Sequence, residues 1–218
     1  MTGINNIIKE KKGPLAENEV KDLLKFYKIP TTKYKLVKNE KELENIELKF
    51  PLAMKVCSSK ILHKTDVKGV RLDIKTNGEL IKSFKDFKKR FPRENILIDQ
   101  MEKKGVEVII GLTQDPVFGL SIMCGVGGIY TELYEDVTFR LVPIDKYDAE
   151  QMIEEIKGKK LLEGFRNIKA NKQLVVDLLL KVSNLGEKFN EYIDQLDLNP
   201  VFVYENRLVV IDAKMILK

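Results

Sequence analysis

The stretch PLAMKVCSSKILHKTDVKGVRLDI, residues 51–74, decides the fold. Leu52–Cys57 is an apolar run of strand length, and Val70–Ile74 is a second strand. The polar loop Ser58–Gly69 joins them and carries His63, the only histidine of the chain. One residue interrupts the apolar run, Lys55. An ammonium group inside such a strand is costly unless its stem snorkels or its charge meets an anion. A nucleotide phosphate is one suitable anion. The loop adds hydroxyls, Lys60 and Lys64, so it is donor-rich and electropositive. An ordinary imidazole is largely uncharged near neutral pH, so His63 can attack a phosphoryl group or exchange a proton. From these residues alone, a surface histidine in a mobile loop accounts for His63 at least as well.

Outward from this stretch, strands and helices alternate, which marks an α/β chain. Residues 1–14 are polar and read as a flexible N-terminus. Val20, Leu23, Leu24 and Tyr27 follow the spacing of an amphipathic helix that Pro30 stops. Tyr34–Val37 is a short strand, and Asn39 is placed to cap a helix through Leu43 and Ile46. A helix from about Gly78 to Arg90 sets Phe84, Phe87 and Phe91 at helical spacing among lysines. Strands follow at Ile96–Gln100, Val106–Thr113, Leu120–Cys124 and Val137–Val142. Asp145 caps a helix to Ile156, and the longest helix runs from about Lys172 to Tyr192. Two lobes are expected, 15–92 and 93–218, with a nucleotide-sized cleft between them.

Composition excludes several site types. The chain has 218 residues, one histidine, two cysteines and no tryptophan. One imidazole rules out histidine-rich zinc sites, and Cys57 and Cys124 are too few for a thiolate cluster or a disulfide framework. Both read as small core residues. The net charge is +5, and the lysines are interleaved with glutamates, which describes solvated faces and no nucleic-acid stripe. No apolar run spans a bilayer and MTGINNIIKEKKG is no signal peptide, so a cytoplasmic protein is expected.

The C-terminal hairpin yields a second candidate site. If Glu205 and Asn206 form a two-residue turn, outward pairing sets Asn199 opposite Asp212. Asp197, two residues earlier, projects from the same face. Three oxygen donors of this kind suit Mg²⁺, which keeps waters and takes further ligands from phosphates. A solvent-facing polar side of the hairpin accounts for the same pattern. Gly125, Gly127 and Gly128 would let backbone N–H groups approach an anion, or form a plain tight turn.

Taken in order, these segments resemble the ATP-grasp part of the ADP-forming acyl-CoA synthetases. The resemblance rests on ILHKTD-x-x-GV in 61–70, LIDQMEKKGVEVIIG in 97–111, DPVFG in 115–119 and GVGGIYTELYEDVTFRLVPI in 125–144. It continues through LLEGFRN in 161–167 and LDLNPVFV with VVIDAK in 196–214, and covers the chain from about residue 15. It departs at Lys68, where many relatives carry glycine, and at Asn167, which weakens any role for Arg166.

The resemblance implies an ATP-grasp fold, α/β in the broad α+β sense. It implies a separate β subunit working with a CoA-binding α subunit in an α2β2 heterotetramer. The reaction implied is acyl-CoA, ADP and phosphate going reversibly to acid, CoA and ATP. His63 takes the place of a phosphohistidine relay and Lys55 that of a lysine on nucleotide phosphates. Asp99, Gln100 and Met101 fall on the hinge around adenine and ribose, and Glu107 on a nucleotide-site glutamate. Asn199 and Asp212 match Mg²⁺ ligands, with Asp197 the acidic position beside them. Tyr130 and Tyr134 are candidates for partner contact. Alternatives within reach are a succinyl-CoA synthetase-like β subunit, a non-catalytic ATP-binding regulator, and a stand-alone carboxylate–amine ligase.

Overall fold

The computed structural model describes residues 2–44, 46–61, 63–127, 136–164 and 169–218. Gly128, Tyr130, Tyr134, Arg166 and Asn167 lie outside them. The chain forms two compact units. The smaller comprises Pro14–Glu19 and Thr32–Lys103, and the larger Met1–Gly13, Val20–Thr31 and Lys104–Lys218.

The first elements are α1 (Thr2–Glu10), β1 (Gly13–Pro14) and α2 (Glu17–Phe26). The expected flexible N-terminus is therefore a helix. Its Ile8 is fully buried, and Asn5 accepts a hydrogen bond from the Tyr27 hydroxyl at 3.0 Å. Sparse apolar residues hid this anchoring from a reading by composition.

In the smaller unit, β2 (Tyr34–Val37), β3 (Leu52–Cys57), β4 (Val70–Ile74) and β5 (Asn95–Gln100) form a sheet in the order β2-β5-β3-β4. Each neighbouring pair is antiparallel. Because β5 pairs with both β2 and β3, this unit continues to Lys103 instead of ending at residue 92. Helix α3 (Asn77–Arg90) starts at Thr76, whose side chain accepts the Glu79 N–H. It buries Leu80, Phe84 and Phe87 against Leu52, Met54, Ile96 and Ile98. The helix expected after Asn39 is a single 3₁₀ turn, Glu40–Leu43. The Asn39 side chain makes no cap bond and donates instead to Glu42 at 2.7 Å.

Strand periodicity then assigns the other face of β3. If Leu52 and Met54 point to α3, then Ala53, Lys55 and Cys57 point the opposite way. By the same rule Asp99 lies on that opposite face of β5, directly across from Ala53.

The larger unit contains β6 (Val106–Asp115), β7 (Gly119–Val126), β8 (Val137–Leu141), α4 (Lys146–Glu155) and α5 (Lys172–Lys188). It ends with β9 (Ile193–Val203), β10 (Leu208–Val210) and β11 (Ala213–Leu217). The sheet runs β1-β11-β9-β6-β7-β8, with β10 also on β9. Asp145 and Asp148 form a capping box on α4. Val175, Leu178, Leu179, Val182 and Leu185 make the buried stripe of α5. Gly186 sits where a Cβ would stand 3.0–3.1 Å from Leu112 and Leu120, so glycine sets how closely α5 approaches β6 and β7. The opposite face of this sheet carries Glu107, Asp197 and Asn199.

Both cysteines are free and buried. Burial pushes the Cys124 thiol up to about 12 and raises that of Cys57. Thiolate therefore forms first in the unfolded chain, so stability is unaffected below the ordinary thiol value of 9.0 and falls as pH rises past it. At pH 8 an aromatic disulfide reagent should label neither cysteine of the native chain within minutes and both in guanidinium. A native thiol reacting at the free-cysteine rate would contradict this placement.

Candidate functional site

On the outer face of β3, Lys55 finds its anions within the protein. Its Nζ lies 2.7 Å from Glu17 Oε1 and 3.1 Å from Asp99 Oδ2, and all three side chains are buried. The other Glu17 oxygen accepts a short hydrogen bond from Lys64 Nζ. Asp99 Oδ1 accepts the Thr32 hydroxyl at 2.8 Å. The result is a chain of contacts, Lys64–Glu17–Lys55–Asp99–Thr32, with two ammonium groups facing two carboxylates. Unpaired, any of these charges would be driven out of such a site by the cost of desolvation.

This network grips the histidine loop. Lys64 is nearly buried while His63 beside it is exposed. The Lys64 carbonyl accepts the Gly69 N–H at 2.6 Å, and the Gly69 carbonyl accepts the Val56 N–H at 2.8 Å. Lys68 adopts a left-handed backbone with φ 52°, a conformation that glycine takes without strain. Gly69 is required by space: a Cβ there would stand 2.6 Å from Val56 Cγ1.

Gln100 and Met101 follow Asp99 at the end of the smaller unit. Gln100 Oε1 accepts the Lys49 N–H at 3.1 Å, and the Met101 N–H donates to the Pro51 carbonyl at 3.0 Å. These contacts fix the segment through backbone and side chain just before the chain passes into the larger unit after Lys103.

In the larger unit the C-terminal hairpin has the register that a Glu205-Asn206 turn dictates. Leu208 pairs with Val203, Val210 with Val201 and Lys214 with Asp197. The Asn199 N–H donates to the Asp212 carbonyl at 3.2 Å, so these two residues are opposed. Burial holds the Asp197 carboxyl above its usual range; Lys214 opposes that shift and Asp212 adds to it. Glu107 is half-buried on neighbouring β6 and pairs with Lys104 at 2.9 Å. A Cβ on Gly127 would come within 3.0 Å of Glu107 Cβ, so β7 ends close against β6.

The donor set fits Mg²⁺ of the kind that is shared with phosphates. The Asp212 charge adds to the upward shift of the Asp197 carboxyl, a repulsion that a cation would relieve. Asn199 adds a neutral oxygen. Among the described residues no group of three or more His, Cys, Asp or Glu side chains could hold a metal alone.

The ATP-grasp domain family matches residues 6–217. The acetate–CoA ligase (ADP-forming) II subunit beta of Pyrococcus furiosus is 44% identical, over 99% of this chain and 96% of its own. This chain is an ATP-grasp protein of the ADP-forming acetate–CoA ligase family. The corresponding subunit beta of ligase I from the same organism is 39% identical over 94% of this chain and 92% of its own. In Archaeoglobus fulgidus, acetate–CoA ligase (ADP-forming) II is 42% identical, but the match fills only 30% of that longer protein. Among solved structures, PH1788 of Pyrococcus horikoshii superposes with a TM-score of 0.90 at 42% identity, covering 99% of this chain and 96% of that one. Ca. Korarchaeum cryptofilum acetyl-coenzyme A synthetase 1 in complex with coenzyme A and Mg-AMPPCP, its phosphohistidine segment pointing towards the nucleotide binding site, matches at 34% identity and a TM-score of 0.84, covering 99% of this chain and 100% of that one.

The structure joins Lys55 and Asp99 within one unit and sets Glu107, Asp197 and Asn199 on one sheet of the other, with Asp212 opposite Asn199 between β10 and β11. Sequence reasoning missed Glu17, Lys64 as an anchor, and Thr32. A signal for Glu17 was present: it falls three residues before Val20 and seven before Leu24, on the apolar stripe of α2. Removing it would take from Lys55 and Lys64 the carboxylate they share inside the protein. Glu17→Ala should therefore lower unfolding stability by about 3–5 kcal/mol in urea titration. A loss below about 1 kcal/mol, the range of an exposed pair, would contradict the buried bridge.

Proposed function

We propose that this chain is the nucleotide-binding β subunit of an ADP-forming acyl-CoA synthetase, passing a phosphoryl group between His63 and ADP. The observation that carries this reading is 44% identity over 99% of the chain to a protein named as such a subunit beta. In it, a CoA-binding α subunit converts acyl-CoA and phosphate to acid and CoA and delivers the phosphoryl group. The assembly is α2β2 and cytoplasmic. No helix among the described residues is long and apolar enough to cross a membrane.

In the ATP-forming direction, a terminal oxygen of ADP attacks phosphorus on phosphorylated His63. The new P–O bond completes ATP, the N–P bond breaks, and its electron pair returns to the imidazole nitrogen. Transfer of this kind is mostly positioning and charge neutralisation. The exposed His63 imidazole is the nucleophile for the reverse step. Lys55 supplies positive charge near the nucleotide phosphates while sharing its ammonium with Glu17 and Asp99. Asp99, Gln100 and Met101 hold adenine and ribose, and Glu107 is a further nucleotide-binding residue. Asn199 and Asp212, with Asp197 beside them, would hold Mg²⁺, which when bound would screen the phosphate charge.

The chain mixed with its α subunit should make ATP from acetyl-CoA, ADP, phosphate and Mg²⁺, and none should form without the α subunit. His63→Ala should abolish synthesis while ADP affinity stays within about threefold, a difference under 1 kcal/mol. Normal turnover by His63→Ala would remove the relay. Asp212→Asn should raise the Mg²⁺ concentration for half-maximal rate by roughly tenfold; an unchanged Mg²⁺ titration would remove Asp212 from the metal site.

A further inference from the structure

We infer that Lys64 is a positioning residue for His63, anchored by the buried Glu17 carboxylate. The inference rests on the relay role of His63 and adds what holds that histidine in place.

Residue 64 is fixed in two independent ways. Its ammonium is drawn into the buried network by Glu17, which the 2.7 Å contact to Lys55 holds in turn. Its carbonyl closes the turn with the Gly69 N–H at 2.6 Å. The Lys68 N–H adds a bond to the Thr65 carbonyl at 2.9 Å, and Arg90 Nη1 donates to the Lys68 carbonyl at 2.8 Å. His63 is the next residue outward and is exposed. A side chain pulled inward at 64 leaves its neighbour directed outward. It also limits how far the His63 backbone travels. The outer lysines of the loop, Lys60 and Lys68, are exposed, whereas Lys64 is the one led into the protein.

The arrangement has a chemical reason. Phosphoryl transfer needs an in-line approach, and displacement of about 1 Å can cost two orders of magnitude in rate. An exposed nucleophile on a long polar loop has no packing of its own to supply that precision. An ion pair buried one residue away does supply it. The pair need not add net stability, since buried charges spend most of their attraction on desolvation. It fixes where the loop stands.

The test uses the single histidine as its own reporter. Labelling with [¹⁵N]histidine gives one backbone amide signal, that of His63. In Lys64→Met the order parameter of that amide should fall from the rigid range to below about 0.6. With the α subunit, kcat for ATP synthesis should fall by about 100-fold, with KM for ADP within about twofold of wild type. Glu17→Asp keeps every charge and withdraws the anchor by one methylene, so it guards against failure of Lys64→Met to fold. It should lower both the order parameter and kcat to intermediate values. A wild-type order parameter and wild-type kcat in either folded variant would overturn the proposal. If His63→Ala keeps full turnover, the relay reading fails, whatever Lys64 does. If His63→Ala is inactive and the Lys64 and Glu17 variants are unaffected, only the positioning role fails.

Discussion

One carboxylate, Glu17, holds two buried lysines, and the arrangement of the smaller unit follows from that bridge. Lys55 comes from the central strand β3, and Lys64 from the loop that leaves it. Asp99 reaches the same place because antiparallel pairing and two-residue periodicity put it on the Lys55 face of β5. Thr32 completes the chain of contacts through Asp99. Apolar residues of equal volume could fill this space with similar stability. They could not tie a polar loop to a helix start, a strand and a strand end at once. The bridge is better understood as a constraint on geometry than as a source of stability.

The two faces of β3 divide the work of that unit. Leu52 and Met54 pack against Leu80, Phe84 and Phe87 and hold the sheet to its helix. Lys55 and Cys57 face the first turn of α2, where Cys57 donates to Asn18 at 3.1 Å. The same division recurs in the larger unit. One sheet face takes α4 and α5, and the other presents Glu107, Asp197 and Asn199. In each unit, apolar alternation sets the fold and leaves the intervening positions to polar chemistry.

Local rules in the sequence carry further than tertiary ones here. Strand Tyr34–Val37 and the Thr76-initiated helix follow from periodicity and capping, and the 199–212 opposition follows from turn geometry. Lys55 was recognisable as a charge needing an anion, because its neighbours in the strand are apolar. Which anion was not recognisable: Glu17 is 38 residues away and looks like an ordinary helix-start acid. Helix α1 was hidden for a related reason, since its anchoring depends on distant partners such as Tyr27. The end of the smaller unit was misplaced because β5 pairs back across to β2 and β3, a long-range choice that local spacing does not encode.

In the proposed function the chain's one histidine, held outward by an anchored neighbour, accepts the terminal phosphoryl group of ATP. Incubation with [γ-³²P]ATP and Mg²⁺ in the presence of the α subunit, followed by separation of the subunits, tests it directly. A phosphorylated His63 predicts label on this chain that is stable in alkali, labile in acid, no more than one per chain, and absent in His63→Ala. Label that survives in His63→Ala, or none on the wild-type chain, would contradict it.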